Sequence, residues 1–313
     1  MTESRAERLR RCLHAACLAE ATAAKVGNVH PGASFADLDF AAFRWAAEHT
    51  ASELSRLNVS IWQSMDSAVR GSLRHSGTNV HLGIVLLLGP LVATAAEDSR
   101  CDAWSGRISD FLGNTGLADG GRILNLIADA MAGGLGRVDA MDVYDRPTDA
   151  DLLAAMRLAQ HRDQIANQYA NGYRPFFDDI VPVIAQRVIP LIADFHDDGL
   201  GPTKFANHRS VQQAIVAAQI ECLGKWPDSL IARKHGTEVA ESIRRQAAQI
   251  DVNDPRQIQS LDDSLRQPIR INPGTTADLI AASLFVCLWR RNHPSVTATT
   301  KSSFHSKPAT SHS

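Results

Sequence analysis

The chain has 313 residues, a formal net charge of -2, and 44% apolar but only 6% aromatic residues. It can bury a sizeable core as one large or two small domains. Its near-neutral charge argues against a nucleic-acid protein held by bulk electrostatics. Cys12, Cys17, Cys101, Cys222 and Cys287 form no CxxC pair. Neither a disulfide framework nor a zinc knuckle is expected, and a reducing cytoplasmic setting is. The most apolar stretch, residues 84–96, is broken by Gly89-Pro90 and falls short of the roughly 20 residues of a spanning helix, so no membrane is expected.

In chain order, helical spacing dominates. Leu9, Leu13, Ala16, Cys17 and Ala21 share one face of a helix over 5–24. The Arg-rich start superficially resembles a signal peptide, but His14 and Glu20 interrupt its apolar run. Phe40, Phe43, Ala47, Leu54 and Leu57 mark a second helix over about 36–57. Further helices are expected near 60–72, 81–96, 119–131, 149–171, 204–223, 226–248 and 276–290. Another covers 176–195, with Pro182 and Pro190 as kinks or breaks. Strand alternation is nearly absent and no linker divides the chain. The expectation is an all-α fold: one large multi-helix domain over 1–292, followed by a disordered polar tail over 293–313.

The chemistry-bearing residues gather in polar, glycine-containing breaks. The first runs from Lys25 through Gly27, Asn28, His30 and Pro31 to Ser34 and Asp37. A capping box explains Ser34 and Asp37 but not Lys25, Asn28 and His30 together. The second, Gly77-Thr-Asn79-Val-His81-Leu-Gly83, opens the most apolar helix, and helix N-termini are seats for phosphate. The alternative is an N-cap by Thr78 or Asn79.

The third break holds Gly133, Gly134, Gly136, Arg137, Asp139 and Asp142. It is neither a dinucleotide fingerprint nor a Walker A loop. A glycine loop followed by two carboxylates can meet an anion and Mg²⁺, although a helix C-cap explains it equally. The fourth places Asp163 and Asn167 one turn apart beside Arg162, a pattern usually explained by surface salt bridges. The fifth runs from Asp228 to Arg233, Lys234 and Gly236. The chain holds six lysines against 26 arginines, so a lysine at such a break hints that a compact charge was wanted. In the last, Asn272-Pro-Gly-Thr275-Thr-Ala-Asp278, a Thr275–Asp278 capping box is expected.

Taken in order, KVGNVHPGASFADLDF, TNVHLGIVLLLGPL, GGLGRVDAMDV, MRLAQHRDQIANQYANGY, PDSLIARKHG and NPGTTADLIAA resemble the triphosphoribosyl-dephospho-CoA synthase family, from about residue 20 to 290. The resemblance implies an all-helical, cytoplasmic, Mg²⁺-dependent enzyme supporting citrate lyase or malonate decarboxylase. Such an enzyme transfers the 5-triphosphoribosyl group of ATP to the ribose 2′-hydroxyl of 3′-dephospho-CoA and releases adenine. Four positions depart from the family pattern: Val26 and Ala132 stand where proline is usual, and in the second motif the usual NTNLG reads NVHLG, with Val80 for threonine and His81 for asparagine.

Glycosidic cleavage builds oxocarbenium character at ribose C1, the acceptor hydroxyl needs a base, and the leaving adenine needs a proton. Lys25, Arg233 and Lys234 are candidates for the triphosphate, joined in nucleotide binding by Asn28, Asn79, Gly134 and Gly136. Asp139 and Asp142 are candidates for Mg²⁺. Asp163 or Asp228 is the candidate base or oxocarbenium stabiliser, and His30 and His81 could protonate or orient adenine. Two other readings stand beside this one: a ribosyl transferase with a different acceptor, suggested by His81, and a non-catalytic nucleotide-binding protein. The sequence leaves a homodimer open.

Overall fold

Each helix start carries its own signal. Ser4 closes a capping box with Glu7 at the head of α1 (Arg5–Thr22). Asp39 accepts from the Ala42 N–H at the head of α2 (Phe40–Leu54), and Ser60 caps α3 (Ile61–Ser76). The computed structural model describes residues 3–35, 38–95, 101–130, 148–193 and 201–291. Among them it contains fifteen α-helices and no β-strand, as the periodicity predicts. No helix in this set is long and apolar enough to cross a membrane.

The remaining helices are α4 (Leu82–Thr94), α5 (Cys101–Gly113), α6 (Leu117–Ala130), α7 (Leu152–Ala159), α8 (Gln164–Ala170), α9 (Val181–Ala193), α10 (Pro202–Ala206), α11 (Arg209–Lys225), α12 (Ser229–His235), α13 (Thr237–Ala247), α14 (Pro255–Arg266) and α15 (Gly274–Arg291). The central helix is α15, packed by α1, α4, α9 and α11. Its side chains from Leu279 to Trp289 are almost all inaccessible. One apolar cluster runs through α1–α11 and α15, and a satellite cluster joins α11–α14 around Ile220, Ile243 and Leu265.

Several boundaries differ from the expected ones. The single helix expected over 149–171 is two, because Asp163 turns its carboxylate onto the Ile165 and Ala166 N–H groups and starts α8. The helix expected over 226–248 is divided at Gly236, whose φ of 96° lies where a side chain would be strained. A π-helical turn at Phe176–Ile180 leads into α9, which accepts Pro182 in its first turn and continues through Pro190. Helices α5 and α14 were not expected. Residues 293–313, the expected tail, lie outside the described residues, as do Asp37, Gly134, Gly136, Asp139 and Asp142.

Pro90 lies within α4 and lacks the N–H that would meet the Leu86 carbonyl. The buried hydroxyls of Tyr169 and Tyr173 donate to that carbonyl at 2.6 and 3.2 Å, and Tyr173 also lies 3.1 Å from the Leu87 carbonyl. This replacement keeps an apolar helix, buried on nearly every side, free of an orphaned acceptor. It also fixes the depth at which the first turn of α4 meets its surroundings.

Candidate active site

The polar breaks converge. A cavity of about 1140 Å³ is lined by the last turn of α1, the segment after Asn28, the first turn of α4, the inner faces of α6 and α7, the α7–α8 junction, α12, and the first turn of α15. One wall is apolar, with Leu86, Leu124, Ile127 and Met156. The other is polar, with Glu20, Asn28, Asn79, Asp163, Arg233, Lys234 and Asp278.

The first break is bolted from behind. Gln219 of α11 accepts from the Val26 N–H at 2.8 Å and donates to the Val26 carbonyl and to Asn28 Oδ1. Proline at position 26 would lack that N–H, so the departure from the family pattern carries a hydrogen bond of its own. Gly27, at a φ of 71°, donates to Asp262 and lies so close to the Ile271 carbonyl and Pro273 that a Cβ would meet both at 2.8 Å. Arg266 reaches the Asn28 carbonyl at 2.6 Å and pairs with Asp262. Asn28 then presents its amide along the cavity wall, donating to Asn272 Oδ1.

Lys25 does not reach the cavity wall. It is 1% exposed and its Nζ lies 2.8 Å from Glu20 Oε1, so the cation expected to meet phosphate instead holds a buried carboxylate that does line the cavity. His81 also faces away. Its Nδ1 lies 3.1 Å from Thr50 Oγ1, its ring leans on Phe43 and its Nε2 has no partner among the described residues. Burial depresses its pKa to about 3, so the ring is neutral at physiological pH. His30 is half-buried behind the wall, its Nδ1 accepting from the Gly32 N–H. Its pKa is lowered first by burial and then by Arg266.

Asp228 is a cap. Oδ1 accepts from the Leu230 and Ile231 N–H groups, and Oδ2 from the N–H and hydroxyl of Thr276 at 2.7 and 2.8 Å. Burial raises its pKa and those four bonds oppose the rise. The side chain starts α12 and ties it to α15, with both oxygens occupied and none of its atoms on the cavity wall. Asn79 caps through Leu82 N–H at 3.0 Å and still lines the cavity.

Asp163, Arg233 and Lys234 meet where the fourth and fifth breaks come together. The Arg233 guanidinium lies 3.3 Å from Asp163 Oδ2, and Lys234 stands exposed on the same stretch of wall. Arg162 and Arg270, outside the expected set, line the cavity as well, with Arg270 stacked 3.8 Å over the Phe35 ring. The wall thus carries both cations and carboxylates.

Asp278 was expected to close a capping box with Thr275. In the structure Thr275 accepts from Ser229, while Asp278 makes no hydrogen bond among the described residues and lies on the cavity wall. The first turn of α4 makes room for it: a Cβ on Gly83 would fall 2.0 Å from Asp278 Oδ2. Its pKa is raised well above the carboxylate range, first by burial and then by the carboxylates of Glu20, Asp228 and Asp163. No three His, Cys, Asp or Glu side chains among the described residues converge to hold a metal. Glu20 and Asp278 are the acidic residues that sequence reading passed over. A charge interrupting the apolar face of α1 was the available signal for Glu20.

The profile of the CitG family, ATP:dephospho-CoA triphosphoribosyl transferase, matches residues 6–296. The chain belongs to this family. The transferase also resembles in fold the crystal structure of a candidate triphosphoribosyl-dephospho-CoA synthase from Archaeoglobus fulgidus. The TM-score is 0.57 at 22% identity, covering 78% of this chain and 97% of the other. No curated protein matches the transferase. Of the family motifs, those around Asn28, Asn79–Gly83, Asp163, Arg233–Lys234 and Asp278 meet at one cavity.

Proposed function

We propose that this cavity carries out triphosphoribosyl transfer from ATP to the ribose 2′-hydroxyl of 3′-dephospho-CoA with release of free adenine. One observation carries the reading: a single cavity wall brings exposed Arg162 and Lys234 and half-buried Arg233 together with buried Glu20 and half-buried Asp163 and Asp278. A triphosphate needs cations, and charge-assisted contacts to lysine and arginine supply them. A C1′ centre developing positive charge needs nearby carboxylates. Both demands are met within one cavity. Asp163 is oriented by two backbone N–H groups and by Arg233, which suits it to stabilise the oxocarbenium-like centre. His161 and His235 stand on the wall as hydrogen-bond partners for the leaving adenine.

Mg²⁺ fits this chemistry as a neutraliser of triphosphate charge, held mainly by phosphate oxygens and one or two carboxylates. Asp139 and Asp142 have the right donor chemistry and spacing for that part. The described wall contributes cations, with no cluster of three ligands. Among the competing readings, a different acceptor was suggested by His81. That residue is turned into α2 and touches the cavity only through its neighbours Val80 and Leu82, which favours the family acceptor.

Incubation with ATP, Mg²⁺ and 3′-dephospho-CoA, followed by mass spectrometry, tests the proposal. Free adenine and a dephospho-CoA product heavier by a triphosphoribosyl group are expected. Release of ADP or AMP would refute glycosidic cleavage, and no release with any alcohol acceptor would favour the binding-protein reading.

A further inference from the structure

Asp278 is an ionisable side chain on the cavity wall with no hydrogen-bond partner among the described residues. The other three carboxylates nearby are engaged: Glu20 by Lys25, Asp163 by Arg233 and two N–H groups, Asp228 by four donors. Asp278 sits one turn into α15, the central helix packed by α1, α4, α9 and α11, so its position is rigid. Gly83 of α4 gives way to it: any side chain there would occupy the space of its carboxylate. A capping role is absent, since α15 begins at Gly274 and places both Thr275 and Asp278 inside the helix, with the Thr275 hydroxyl accepting from Ser229.

We infer that Asp278 is the catalytic base that takes the proton from the acceptor ribose 2′-hydroxyl. This rests on the transfer reaction proposed above. The hydroxyl oxygen forms a bond to C1′ of the ATP ribose while its proton passes to an Asp278 Oδ. The C1′–N9 bond breaks with its electron pair going to adenine. Adenine takes up one proton as it leaves and Asp278 then releases the one it accepted, so protons balance, the carboxylate is restored and no oxidant or reductant enters.

The surroundings set the pH at which this works. Facing Asp278 are Glu20 and Cys17 from α1, Asp163 from the cap of α8, and Asp228 and Arg233 from α12; α4 contributes the bare backbone at Gly83. Burial first, and then three carboxylates against one arginine, hold the Asp278 proton more tightly than water would. A base with a raised affinity is a better proton acceptor once ionised. The rate must therefore climb with pH through an ionisation well above the ordinary carboxylate range.

The experiment uses the full-length chain, ATP, Mg²⁺ and 3′-dephospho-CoA, with adenine release followed across pH for wild type and Asp278→Asn. The amide should lower kcat by about 10²–10⁴-fold, leave KM for ATP within a few-fold, and abolish the acid limb of the profile. Asp278→Glu should recover part of the rate and a displaced acid limb. Activity of Asp278→Asn within threefold of wild type, or a reduced rate with the acid limb unmoved, overturns the assignment. Should the amide variant not fold, the wild-type profile decides, because a profile with no ionisation above the ordinary carboxylate range overturns it too. Wild type that releases no adenine with any acceptor defeats the transfer reading itself, and this inference falls with it.

Discussion

Replacing Gly83 by alanine tests the close approach on which the acidic side of the cavity depends. The new Cβ would stand 2.0 Å from Asp278 Oδ2, 2.5 Å from its Cγ and 2.9 Å from Ile165 Cδ1. Ordinary contacts begin near 3.4 Å, so the carboxylate must retreat by more than an ångström or α4 and α15 must part. Both helices are buried and packed on each other, and close-packed interiors resist such parting. The side chain is therefore the element that moves. A misplacement of about 1 Å at a reacting group costs on the order of 10²-fold in rate. Stability should change little, because alanine in a helix gains roughly 0.5–1 kcal/mol over glycine and offsets part of the strain. Adenine release and thermal unfolding measured side by side give the answer. A kcat/KM down by about two orders of magnitude with Tm within a few degrees is expected. Wild-type turnover, or a loss no larger than the fraction unfolded, would refute the geometry.

Lys25→Ala should act on folding first. Removing one partner of a buried ion pair leaves Glu20 uncompensated, at a cost of about 3–5 kcal/mol, read by urea unfolding; a fully stable variant with weakened ATP affinity would restore the phosphate role. His81→Asn should relieve acid sensitivity. His81 is neutral when folded, with a pKa near 3, and takes a proton on unfolding below pH 6.5, so its contribution is whole above pH 6.5. It is lost as pH falls towards 3, by up to about 1.4 kcal/mol per pH unit; parallel stability curves for the two proteins between pH 6.5 and 4 would contradict this. Lys234→Ala should weaken ATP handling by about 1.5–3 kcal/mol, the scale of one charge-assisted contact, with Lys234→Arg restoring only part. Lys225→Ala is the control, since Lys225 pairs with Glu221 on α11 away from the cavity; equal loss at both lysines would point to a general electrostatic effect.

The fold was legible because apolar spacing repeats along most of the chain and the polar breaks are abrupt. Boundaries failed where a side chain or a single glycine redirected the backbone: the Asp163 carboxylate on two N–H groups, and Gly236 at positive φ. Helix α14 escaped because its exposed faces are strongly polar, although Asp254-Pro255 is a regular helix start. At the site, sequence located the breaks more accurately than it assigned the residues within them. Lys25, His81 and Asp228 sit in the right segments but point away from the cavity, because direction depends on which neighbouring helix packs behind them. Asp278 has the spacing of a capping box with Thr275. The helix instead starts at Gly274, one residue before Thr275, which takes both residues out of the cap positions.

The electrostatic accounting around the cavity explains why an unpaired carboxylate persists in a well-packed protein. Glu20 and Asp163 each have a cation, Lys25 and Arg233, and Asp228 has four donors. Asp278 has no hydrogen-bond or ion-pair partner among the described residues, and burial together with its like-charged neighbours makes its ionised form costly in the resting enzyme. Such a cost lowers stability unless the group is protonated or a positive charge arrives beside it. In the proposed transfer both events occur at the cavity: a hydroxyl surrenders its proton and C1′ becomes positive. The interaction is then stronger in the transition state than in the ground state, which is the condition for a contact to raise kcat rather than merely tighten binding. A glycine at position 83 and a partnerless aspartate at 278 each forgo local stability. Together they place charge where the reaction develops its opposite.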